Sequence, residues 1–164
     1  MTTHVRTTLL LAVTGLTAAS AAGKSYMTLV GELVGAVEGP RLTRDACAVH
    51  APSSANENSR LYEAWKMRHK ALLDAVAEQV AHANVRLKKQ GALGGDEPTK
   101  AMVEAASQRI EQTLSAVTPN QAAEFCSHYS EYLERKDSEA TTSITELLSL
   151  VEYADKELTS RERT

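Results

Sequence analysis

Ser54–Lys89, SANENSRLYEAWKMRHKALLDAVAEQVAHANVRLKK, decides the fold. Tyr62, Trp65, His69, Leu72, Val76, Val80, Ala83 and Leu87 recur along it at steps of three and four. That spacing lays one apolar seam along a helix about seven turns long. Ser54 with Glu57 three residues later has the form of a capping box, and Arg86, Lys88 and Lys89 suit the negative pole at the far end. One long amphipathic helix is therefore expected, closed by the break Gly91–Asp96 (GALGGD).

Upstream, Tyr26, Leu29, Val30, Leu33, Val34 and Val37 form a shorter stripe that Gly39-Pro40 should end. Thr43 then reads as the N-cap of a brief turn reaching His50, stopped by Ala51-Pro52. Downstream, a helix starts near Pro98-Thr99 and buries Met102, Val103, Ala106, Ile110 and Leu114. Thr118-Pro119-Asn120-Gln121 restarts the chain with an N-cap, a proline at the first helical position and a capping glutamine. The next stripe is Ala122, Phe125, Tyr129 and Tyr132 or Leu133, ending at Lys136; the polar stretch Asp137–Ser143 either interrupts it or is a solvated part of a longer helix. Ile144, Leu147, Leu148, Val151 and Leu158 mark a last amphipathic helix. Four prolines in the chain and many Ala, Leu, Glu, Gln and Lys residues leave little room for strands. The fold class read from this is all-α, an antiparallel helical bundle of about four main helices. Residues 23–164 form one domain, in which 144–164 is a semi-independent helix and tail that either docks on the bundle or serves a partner.

The first 22 residues read as a secretory signal. A short n-region with Arg6 precedes the apolar run Leu9–Thr17, too short to cross a bilayer, and Ala19-Ser20-Ala21 has the small-x-small form of a cleavage site. Cleavage after Ala21 or Ala22 leaves about 142 residues, periplasmic or secreted. Without Arg6 the balance is 17 basic against 21 acidic residues. That excess of acid disfavours nucleic acid and anionic membrane surfaces as partners. No later stretch is apolar enough to span a membrane, so stable insertion after signal removal is not expected.

Cys47 and Cys126 are the two cysteines, and in an exported chain an even pair reads as one disulfide. The alternative is a zinc set of Cys47, His50, Cys126 and His128. Residues 126 and 128 point about 200° apart on a helix and do not both reach one ion, so no metal is assigned. A Cys-x-x-Cys-His haem attachment site is absent from the sequence, and no cofactor is assigned either.

Tyr62, Trp65, His69, Phe125, Tyr129 and Tyr132 concentrate the aromatic area. They read first as packing between helices, and second as a candidate face for a ligand or partner should the bundle splay at one end. His69 sits on the core-facing seam, where a hydrogen-bonded imidazole is the ordinary reading; His82 falls off the seam and should be solvated. Arg68 and Lys70 flank the Trp65 and His69 face as charged residues.

Three function classes follow. Val117-Thr118-Pro119-Asn120-Gln121 resembles the Leu-Thr-x-x-Gln signature of the periplasmic stress chaperones and heavy-metal-resistance sensors, over roughly residues 54–136. Val117 stands where that signature has Leu, and Leu42-Thr43-Arg44-Asp45-Ala46 lacks the glutamine of a second copy. This resemblance, and the broader pattern of uncharacterised small exported helical proteins of Gram-negative bacteria, implies a non-catalytic protein with a protein-directed or structural role. The second class is a bundle holding a ligand or a haem, with His69 and either His128 or Met102 as axial ligands. The third is an exported helical enzyme of the chorismate mutase type, whose pocket needs several inward cations; here Arg68 is the one cation near an apolar seam, so no catalytic residue is assigned.

Overall fold

The computed structural model describes residues 24–91, 97–135 and 141–163. The expected leader, residues 92–96 of the expected break, residue 136 and residues 137–140 of the polar stretch lie outside the described residues. Among those described, the chain forms seven α-helices and no strand. They are α1 (Tyr26–His50), α2 (Ala55–Arg68), α3 (Lys70–Lys89), α4 (Pro98–Ser115), α5 (Pro119–Ser127), α6 (Tyr129–Arg135) and α7 (Thr141–Arg161), with a 3-10 turn at Pro52–Ser54 between α1 and α2.

α1 departs from the sequence expectation. Ser25 caps it, its Oγ accepting from the Thr28 amide at 3.2 Å, and the helix then runs unbroken through Gly39-Pro40. A proline inside a helix forfeits one backbone bond and crowds the preceding turn, at a cost of about 3 kcal/mol. Packing from distant sequence offsets this. Pro40 is buried, and the Tyr129 hydroxyl donates to its carbonyl at 2.8 Å. A Cβ at Gly39 would stand 3.3 Å from the Tyr132 hydroxyl oxygen, so the bare glycine is what lets α6 settle there. The pair that reads as a stop is a docking seat.

The long seam departs in the opposite sense. It bends at His69 (φ −104°, ψ 15°), which separates α2 from α3. The His69 amide still donates to the Trp65 carbonyl at 3.1 Å, and the Leu73 amide to His69 at 3.0 Å, so the ladder is kinked rather than cut. A similar interruption at His128 divides the stripe expected from Ala122 to Leu133 into α5 and α6. The Ser54 capping box does not form: Ser54 Oγ donates instead to the Ala51 carbonyl and accepts from Asn58. The Thr118–Gln121 box forms in full, with Gln121 Oε1 accepting from the Thr118 amide and Thr118 Oγ1 from the Gln121 amide.

α1 is the centre of the molecule, in contact with α2, α3, α4, α5 and α7. The main core joins Leu29, Val30, Leu33 and Val34 of α1 to Val76, Ala83 and Leu87 of α3 and to Ile144, Leu147, Leu148 and Val151 of α7. Val30, Leu33 and Val151 are fully buried. Each such side chain contributes about 1.5–3 kcal/mol by leaving water. The 144–158 helix expected from sequence is thus part of the core. A second, aromatic cluster holds Tyr62, Trp65, Tyr129 and Leu133, and a third Ala46, Leu114 and Ala122. No helix among the described residues is long and apolar enough to cross a membrane.

Candidate functional site

Two places gather the residues singled out from sequence. The first is the end of α1. Cys47 and Cys126 form a disulfide with Cα atoms 5.5 Å apart, both cysteines fully buried beside Ala51 and Phe125. Asn58 donates to the Cys126 carbonyl at 3.3 Å, so a buried amide is matched there. His50 Nε2 lies 2.9 Å from Glu111 Oε1, fixing the last turn of α1 to α4. With both sulfurs bonded to each other, neither is available as a thiolate. His128 lies at the exposed α5–α6 junction with its Nδ1 3.1 Å from Glu131 Oε1.

The second is a groove of about 520 Å³ between α1, α2–α3 and α4. Its position follows from the seams. Val34 and Val37 of α1, Val76 and Val80 of α3 and Val103 of α4 supply apolar walls, and Tyr62 and Trp65 of α2, on the other side of the bend at His69, complete the lining. Trp65 is 2% exposed, yet its indole N–H has no hydrogen-bond partner. A buried donor left unmatched costs about 1–3 kcal/mol. The His69 ring lies against Trp65, ring centres 5.3 Å apart and planes tilted by 49°. Tyr62 lies under the Arg44 guanidinium, 4.5 Å from its ring centre.

The six aromatic positions therefore separate. Tyr62 and Trp65 line the groove; Tyr129 and Tyr132 stack on each other against Gly39-Pro40; Phe125 belongs to the disulfide end. Burial raises the hydroxyl pKa of Tyr62, Tyr129 and Tyr132 above the ordinary tyrosine value. The axial-ligand candidates also stand apart: Met102 packs in the main core near Gly31, His128 pairs with Glu131, and His69 lies on Trp65. Among the described residues no group of three or more His, Cys, Asp or Glu side chains is placed to hold a metal ion.

Sequence reading missed the charged rim of the groove, which is Glu38, Lys66 and Lys100. Glu38 is matched by Arg41 at 2.6 Å and Lys66 by Glu63 at 2.9 Å. Lys100 is exposed in the first turn of α4 and has no carboxylate partner among the described residues. A cation there opposes the helix dipole, which favours acids in a first turn. That misplacement was the one signal in the sequence that pointed to it. Chemically, the arrangement offers an apolar groove, an indole ring in its wall and, at its rim, a lysine with no carboxylate partner among the described residues. No protein-family model, no curated protein and no solved structure matches this chain.

Proposed function

We propose that the chain is an exported, non-catalytic binding protein that holds a small, largely apolar molecule in the groove between α1, α2–α3 and α4. One observation carries this reading: a groove of about 520 Å³, within the range of small-molecule sites, is walled by valines from three helices and by Tyr62 and Trp65. A small ligand is favoured over the protein partner expected from sequence because three of the six residues offered for such a partner are themselves interior. Tyr62, Trp65 and Tyr129 are 8%, 2% and 1% exposed.

The supporting architecture is read as four antiparallel passes: α1, α2–α3, α4 and α5–α7. Tyr26, at the start of α1, lies below Arg86, which bonds Asp155; Arg44, near the other end, lies over Tyr62, and Cys47 meets Cys126. α2–α3 and α5–α7 accordingly run back along α1, while Met102 beside Gly31 and Glu111 beside His50 give α4 the direction of α1. Export rests on the leader-like residues 1–22 and on the disulfide, a bond that persists in oxidising compartments.

The test is intact mass of natively purified protein, sprayed with and without reductant under non-denaturing and denaturing conditions. The expected result is residues 22–164 or 23–164, about 2 Da light until reduced, carrying a small adduct lost on denaturation. An uncleaved, fully reduced chain overturns export. A polypeptide-sized adduct instead of a small one overturns the ligand reading in favour of a protein partner.

A further inference from the structure

Resting on that reading, we infer that the groove selects a free monoanionic amphiphile, an alkyl carboxylate whose head meets Lys100 and whose tail lies along the valine walls toward Trp65. Charge decides the head. Of the three ionic side chains in the lining, Glu38 and Lys66 are paired with Arg41 and Glu63, so Lys100 is the lining charge that has no carboxylate partner among the described residues. Lys100 stands at one end, next to Thr99, whose hydroxyl is already committed to Asn84 at 2.9 Å and is not a competing donor. Tyr62, Trp65 and Lys66 stand at the other.

Length decides the tail. The α3 residues of the lining run from Leu73 to Val80. Seven steps of helix span about 10 Å, the reach of an extended chain of about eight to ten carbons. Between the two ends the walls are Val34, Val37, Val76, Val80 and Val103, which offer such a chain no polar competitor. A quaternary ammonium in place of the carboxylate would lie beside Lys100, so cations are disfavoured.

Trp65 is the chain's single tryptophan, so its emission reports the groove directly. The experiment is a fluorescence titration of the full mature protein with decanoate, decanol and decyltrimethylammonium, each below its micellar concentration. Lys100→Gln is the variant, and Lys70→Gln, an exposed α3 lysine paired with Asp74, is the control. Decanoate is expected to bind roughly five- to tenfold more tightly than decanol, the difference expected of one charge-assisted contact. Lys100→Gln should erase that difference while leaving decanol unchanged, added salt should shrink it, and Lys70→Gln should do neither. Equal binding of decanoate and decanol, tighter binding of the cation, or equal weakening of both by Lys100→Gln overturns the anion selectivity and leaves the groove reading standing. No response of Trp65 to any of the three overturns both.

Discussion

The two halves of α1 are held by different physics. From Gly39 to His50 the helix is fixed by discrete bonds: Pro40 to Tyr129, Cys47 to Cys126 and His50 to Glu111. From Tyr26 to Val37 it is held mainly by apolar burial against α3 and α7, with Arg86 bonding Asp155, Thr159 and Glu162 to join those two helices at its start. Directional bonds fix where α5 and α6 sit; apolar contact stabilises the core while leaving room between helices. The groove opens on the N-terminal half, where Val34 and Val37 line it with residues of α3 and α4.

The sharpest way to break this division is to cut its covalent member. Cys47→Ser and Cys126→Ser should each lower stability by up to about 4.5 kcal/mol, since the bond closes a loop with a sequence separation of 79. The two melting temperatures should fall by similar amounts; unequal falls would show that one cysteine does more than close the loop. Leu33→Ala tests the other half. Leu33 is 0% exposed, and truncation there should cost about 3 kcal/mol in denaturant unfolding. A loss under about 1 kcal/mol would mean the N-terminal half collapses onto its cavity rather than packing as a fixed core. Combined with Cys126→Ser the two losses should add, because the sites share no partner.

Smaller still is Tyr129→Phe, which keeps the ring and removes only the donor to Pro40. A loss of about 1 kcal/mol is expected. If α1 instead loses helicity by far-ultraviolet dichroism, that single bond is what carries the helix past proline. The least effect near neutrality is that of pH. Tyr26 is pushed up to about 12, chiefly by burial and then by the Asp155 charge, and Tyr129 is also raised, chiefly by burial. A folded value above the unfolded one, about 10, means these groups' stabilisation is whole below pH 10 and is lost as pH rises from there toward 12. Denaturant midpoints attributable to tyrosine should be flat up to pH 10 and decline above it; a decline already under way below pH 9 would assign it to other groups.

Local signals in the sequence were read well where a local bond satisfied them. Thr118 and Gln121 lie three residues apart and cap each other whatever surrounds them, and the two cysteines had only each other. The apolar seams likewise marked the core, including Leu33, Val76 and Ile144. What failed was what remote side chains settle without leaving a mark at the position itself. Gly39-Pro40 has every mark of a terminus until Tyr129 and Tyr132, some 90 residues away, arrive on it. His69 has none of the marks of a bend, and Ser54 has the pattern of a capping box but the backbone of a 3-10 turn. The groove was half legible: Tyr62 and Trp65 stand on a seam, whereas Lys66 and Lys100 join them only once three helices meet.

The disulfide also decides what a protease can do to this molecule. Any single cut between residues 47 and 126 leaves the two pieces tied through sulfur, so a nicked chain migrates intact until reductant is added. The helices α2, α3 and α4, which form most of the groove, all lie inside that covalent ring. In a protease-rich compartment the protein can therefore lose the continuity of its backbone there and still keep its binding elements in one molecule.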